Sequence, residues 1–168
     1  MFGDAMRQAG GKRYFSVEKN PLLAAIATSL VDLAGLRDTV RVVVGTGAEG
    51  IQRLYDDGVL GQDKGPVDMI FFDHHKPSYT ADLKRCERLG LGARGTVLVA
   101  DNMVLPGNPP YLKWVRASVA EKREMDGGKA EGERGNPGLE YKSRFVESYE
   151  PSGQEDALEI TECLGVAD

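Results

Sequence analysis

Four largely apolar runs constrain this chain more than any other feature: "RYFSVE" (13–18), "VRVVVG" (40–45), "VDMIFFD" (67–73) and "GTVLVAD" (95–101). They do not alternate polar with apolar residues, so each reads as a strand buried on both faces, the pattern of a parallel sheet. Helical stretches separate them. The clearest is "NPLLAAIATSLVDLAGL", with Asn20 as N-cap, Pro21 at the first helical position and Gly35 as the stop. Further helices are expected at about 48–57, at about 79–89, and as one helix, "PPYLKWVRASVAEKREM", from Pro109. Strands alternating with helices imply right-handed βαβ units.

The C-terminal part differs. "MDGGKAEGERGNPG" (125–138) is rich in glycine and charge and is expected to be a flexible loop. "LEYKSRFVESYE" and "DALEITECLG" flank "PSGQ" and predict a hairpin that gives the sheet an antiparallel edge.

The 168 residues suit a single domain (1–168) with one core, and 41% hydrophobic with 28% charged residues is ordinary for a globular protein. No 18 consecutive residues are apolar, so no membrane span or membrane partner is expected. The first residues lack the apolar core of a secretory signal, and Cys86 and Cys163 make no disulfide framework; a reduced, cytoplasmic setting follows. A net charge of −5 without a basic patch argues against nucleic acid. The expected partner is a small molecule, and the expected state a monomer.

In open α/β sheets, ligands bind beyond the carboxyl ends of the strands. Glu18 ends the first strand before a capped helix; it suits either the hydroxyls of a ribose or the helix dipole. Asp73 and Asp101-Asn102 end two successive strands. If these pair directly, two carboxylates and an amide converge, a hard donor set that suits Mg²⁺ better than Zn²⁺. The other reading is two unrelated turn residues. Lys76 reads as a general base beside a cation or as a surface lysine. His74 and His75 are the two histidines of the chain, and as neighbours past a strand end they point in different directions. In "VLPGNPP" (104–110), Pro106 presents a flat apolar surface or forms a plain turn.

Taken together, "SVEKNP", "LLAAIATSLVDLAGL", "VRVVVG", "DMIFFDHHK", "RGTVLVADNMVLPGNP" and "GLEYKSRFVES" resemble, in order and spacing, the catechol O-methyltransferase family. The resemblance implies a Rossmann-like methyltransferase sheet that uses S-adenosylmethionine and Mg²⁺ to methylate a catechol hydroxyl. It implies Asp73, Asp101 and Asn102 as metal ligands and Lys76 as the catalytic base. Glu18, Lys19, Gly47, Ala48 and His74 would contact the cofactor. Asn102, Glu140, Pro106, Leu139 and His75 would contact the catechol.

The sequence departs from the family at several places. The family has a strand and a Gly-rich turn, E-x-G-x-x-x-G, about 20 residues before "SVEKNP", where the backbone meets the cofactor. Here Glu18 is preceded by 17 residues. The chain is therefore expected to be an N-terminally truncated member, and the alternative to an enzyme is a catalytically inactive homologue. His75 replaces an aromatic residue, and Gly47-Ala48 replace a polar pair. A remote alternative is a DHH-type phosphoesterase, but that family needs further metal-binding carboxylates and a third histidine, which this chain lacks.

Overall fold

The computed structural model describes residues 2–167. Where a single domain over 1–168 is expected, the chain shows two compact units, Met1–Leu54 and Tyr55–Asp168.

The first unit contains α1 (Phe2–Gln8), β1 (Tyr14–Glu18), α2 (Pro21–Leu33), β2 (Val40–Val44) and most of α3 (Gly47–Asp56). β1 and β2 pair in parallel from Tyr14↔Val40 to Glu18↔Val44, as the apolar runs imply. Asn20 caps α2 by accepting from the N–H groups of Leu22 and Leu23. Gly35, at φ 67°, follows the last turn. Gly50 lets α3 lie close on β1: a Cβ there would stand 2.5 Å from Val17 Cγ1.

The second unit holds a four-stranded sheet in the order β3 (Met69–Phe72), β4 (Val97–Ala100), β6 (Glu155–Val166), β5 (Leu139–Tyr149). β3 and β4 are parallel, while β6 runs antiparallel to both β4 and β5, so the expected hairpin forms the antiparallel edge. α4 (Tyr79–Arg88), α5 (Pro109–Arg116) and α6 (Val119–Asp126) complete the unit. Phe72, Tyr79, Leu83, Leu98, Tyr111, Trp114 and Val115 form its core. Arg116 ties α5 to the sheet through two 2.7 Å bonds to the buried Glu159.

One expected helix is two. The run from Pro109 breaks at Ala117, because Ser118 starts a new helix as its N-cap. Ser118 and Glu121 satisfy one another in a capping box, each side chain accepting from the other residue's N–H.

The glycine- and charge-rich segment 125–138, read as a flexible loop, is tied to buried carboxylates. Asp126 pairs with Lys84 and accepts from Gly135 N at 2.7 Å. Glu87 accepts from Asn136 N at 2.8 Å, from Trp114 Nε1 at 2.8 Å and from Tyr141 OH at 2.7 Å. The chain comes so close that a Cβ on Gly135 would meet Trp114 at 2.7 Å. Among the described residues, no helix is long and apolar enough to cross a membrane. Cys86 and Cys163 are buried free thiols, and burial pushes the Cys86 thiol up to about 12.

Burial also raises the Glu87 carboxyl above its ordinary value of 4.5, outweighing the bonds from Trp114, Tyr141 and Asn136 that lower it. Such a group binds its proton more tightly in the folded chain. Its contribution to stability is full below 4.5 and is lost as pH rises through the folded value. The fluorescence of Trp114, the one tryptophan, should report an unfolding free energy with this component. Glu87→Gln should remove that part of the pH slope; an identical slope in the variant contradicts the assignment.

Candidate active site

The direct pairing of β3 with β4 decides where the strand-end residues stand. Phe72 pairs with Ala100, and Asp101 N donates to Phe72 O at 3.0 Å, so Asp73 and Asp101 leave adjacent strands side by side. The chain after Asp73 turns through His75 into a short 3-10 turn, Lys76–Ser78, which feeds α4. That turn brings Lys76 Nζ back to Asp73 Oδ1 at 3.1 Å and to Tyr79 OH at 2.8 Å. Tyr79 OH in turn donates to Asp101 O at 3.5 Å. Tyr79 is fully buried. Burial, and then the charges of Asp73, Asp101 and Asp156, push its phenol well above the usual range, so it stays protonated.

Two further links hold these loops. Asn108, itself buried, caps α5 by accepting from Tyr111 N at 3.3 Å and donates through Nδ2 to Lys76 O at 2.7 Å. Asn102 sits at φ 60°, ψ 51° and donates through Nδ2 to Glu150 Oε1 and Asp156 Oδ2, both at 2.8 Å. Burial acts to raise the Asp156 carboxyl, but the bonds from Asn102, Val104, Ala157 and Leu105 outweigh it and hold the group below its usual value. Around Asn102 and Tyr79, then, stand the carboxylates of Asp73, Asp101, Glu150 and Asp156, with the amino group of Lys76 beside them.

The two histidines diverge. His74 Nε2 bonds to the buried Asp82 at 2.8 Å, and its ring lies 4.9 Å from that of Tyr79. His75 is exposed and bonds to Ser78 Oγ through Nδ1 at 3.1 Å. Pro106 is exposed in the loop after Asn102.

Leu139 and Glu140 are not brought to this place. Asp101 follows Ala100, which pairs with Glu159 of β6, whereas Glu140 pairs with Gly165. Six residue steps of strand from Glu159 to Gly165 amount to about 20 Å. Leu139 is buried, and its carbonyl accepts from Lys122 Nζ at 2.7 Å. The substrate contacts expected of both residues are therefore corrected: β5 starts at the far end of the sheet and reaches the Asp101 end only in its last residues. The carboxylates that do arrive there, Glu150 and Asp156, flank the hairpin turn. Sequence reasoning missed them, together with Tyr79.

In the first unit, Glu18 Oε1 accepts from Asn20 N at 2.7 Å, so one carboxylate oxygen supports the start of α2. Lys19 beside it is exposed. Gly47 and Ala48 open α3, where Thr46 and Glu49 cap one another.

The donors at the β3 and β4 ends match a hard divalent cation in kind: two carboxylates on neighbouring strands and an amide oxygen that the carboxylates behind it leave free. Among the described residues no three His, Cys, Asp or Glu side chains are grouped to hold a metal; the amide of Asn102 follows directly on Asp101.

A sequence model described as "O-methyltransferase" matches residues 5–130. The chain belongs to the O-methyltransferase family. The catechol O-methyltransferase of Mus musculus is 40% identical over 108 residues, 64% of this chain and 39% of that protein. Catechol O-methyltransferase B of Danio rerio is 38% identical over 136 residues, 81% of this chain and 50% of that protein. The chain thus spans half or less of the length of these two relatives. In fold it is similar to the O-methyltransferase from Bacillus cereus solved in complex with SAH, with a TM-score of 0.61 and 22% identity over 92% of this chain and 63% of that one. The architecture is accordingly that of the Rossmann-like methyltransferases, as the resemblance implied.

Asn108→Asp keeps an acceptor for the cap of α5 but loses the donor to Lys76 O. It should cost about 1–3 kcal/mol in urea unfolding followed by Trp114 fluorescence. A loss within error of zero would show that the two loops do not depend on this bond.

Proposed function

We propose that this O-methyltransferase moves a methyl group from S-adenosylmethionine to one hydroxyl of a catechol, with Mg²⁺ at the ends of β3 and β4. The observation that carries the reading is the meeting of Asp73, Lys76, Tyr79, Asp101 and Asn102 at the carboxyl ends of two paired parallel strands. Relatives named catechol O-methyltransferase support the substrate class.

Asp73, Asp101 and the amide oxygen of Asn102 would hold the cation. Bound there, a divalent cation would lower the pKa of a nearby hydroxyl and would favour a substrate with two adjacent oxygens. A catechol has two such oxygens and a monophenol one, which makes the monophenol a poor substrate.

Lys76 receives the proton of the reacting hydroxyl. Its bonds to Asp73 and Tyr79 use two N–H groups, so the neutral amine still makes both and keeps a lone pair for that proton. The freed oxygen attacks the sulfonium methyl. An O–C bond forms as the C–S bond breaks, leaving a methyl ether and S-adenosylhomocysteine, and Lys76 passes its proton to water. Holding donor and acceptor in line could supply several of the roughly 7–11 kcal/mol that orientation can contribute. Within the first unit, Glu18, Lys19, Gly47 and Ala48 are the proposed contacts to the donor. Pro106 and His75 are proposed to border the ring.

Incubation with S-adenosylmethionine, Mg²⁺ and catechol should give a monomethyl ether by mass spectrometry, lost on chelation and absent with phenol. Lys76→Ala should lower kcat by about 10²–10⁴-fold. Unchanged turnover in Lys76→Ala would refute its role. A folded chain that gives no heat on titration with S-adenosylmethionine would refute methyl transfer by this chain.

A further inference from the structure

Asn102 is the one residue other than glycine with positive φ among the described residues. That conformation costs an ordinary residue of the order of 1–2 kcal/mol and is tolerated best by asparagine and aspartate. The side chain of Asn102 is held as well. Its Nδ2 lies 2.8 Å from Glu150 Oε1 and 2.8 Å from Asp156 Oδ2. Carboxylates only accept, so the end of the amide that faces them is the NH₂. The oxygen is turned the other way, and no described donor reaches it.

The two carboxylates are not equally fixed. Glu150 begins the hairpin turn and is half-buried. Asp156 is 5% exposed, and its Oδ1 accepts from Ala157 N at 2.7 Å, Val104 N at 3.0 Å and Leu105 N at 3.5 Å. Three backbone N–H groups thus anchor one oxygen, and the other is left for Asn102. The same side chain holds the loop after Asn102, through Val104 and Leu105, and the amide of Asn102 itself.

We propose that Asp156, assisted by Glu150, is the positioning residue of the cation site: it fixes the Asn102 amide so that oxygen rather than nitrogen is presented to a divalent cation. This rests on the cation reading above. An amide has two ends of nearly equal size, and only one can ligate a cation. In water or beside a neutral partner both orientations are populated. A buried carboxylate that can only accept removes the wrong one. Neither Asp156 nor Glu150 needs to touch the cation for this.

Mn²⁺ is a suitable probe, because the signal of the free ion in electron paramagnetic resonance measures binding without any turnover. Asp156→Asn keeps an oxygen for the three backbone donors but turns an NH₂ toward Asn102, which favours the flipped amide. It should weaken Mn²⁺ binding by about 10–100-fold, the usual effect of losing an outer partner of a metal ligand. Its circular dichroism and melting should stay close to those of the parent. The exchanged pair Asn102→Asp with Asp156→Asn should recover most of the loss, because the carboxylate introduced on the loop would accept from the amide introduced on the hairpin and still offer an oxygen. A purely structural role for Asp156 predicts no such rescue. Glu150→Ala, whose turn is closed by backbone bonds, should lose a few-fold.

Parent-like affinity in Asp156→Asn would overturn the proposal and leave the cation site standing. Should that variant not fold, parent-like affinity in Glu150→Ala overturns it instead. A parent chain that binds no Mn²⁺ would overturn both the proposal and the cation reading.

Discussion

The backbone bond from Asp101 N to Phe72 O closes the last rung of the β3–β4 ladder, and the candidate site depends on it. It places two chain ends that lie 28 positions apart in sequence, at Asp73 and Asp101, about one strand spacing from each other. Each end then turns back on the other. The loop after β3 returns Lys76 to Asp73 and Tyr79, and the loop after β4 returns Asn108 to the Lys76 carbonyl. Beneath them, Phe72, Tyr79 and Tyr111 pack at ring separations of 5.6–5.9 Å, so the buried phenol that meets Lys76 is held by core packing.

The hairpin contributes in a different way. It brings no group across the sheet face; it delivers a charged turn to the edge of the loop after β4. Asp156 and Glu150 arrive there because β6 runs antiparallel to β4, which sends the β5–β6 turn to the end where β4 finishes. A parallel strand in that position would have placed its loop at the opposite end. The antiparallel edge is therefore part of how the site is built as well as of how the sheet ends.

What could be read from the sequence was what is local. Apolar runs gave the strands, Asn20 and Gly35 the limits of the longest helix, and "PSGQ" the hairpin. Asp73, Lys76, Asp101 and Asn102 were legible because they stand at or just past strand ends, where position alone suggests a ligand. Glu140 was misplaced because its location depends on the register of a long hairpin, which turn chemistry alone does not reveal. Tyr79 looked like an ordinary first residue of a helix; its role emerges only when burial and three surrounding carboxylates are known. The break at Ser118 was legible as S-x-x-E, but the apolar periodicity that continues through it hid the signal.

The central proposal is that the ends of β3 and β4, backed by the hairpin turn, bind a divalent cation. Paramagnetic broadening of backbone amide resonances by substoichiometric Mn²⁺ tests it most directly. The account predicts loss of signal first at residues 73–76, 101–105 and 150–157, with 139–141 and 163–166 spared. Broadening centred on Glu140, or spread evenly over the acidic surface, would contradict it.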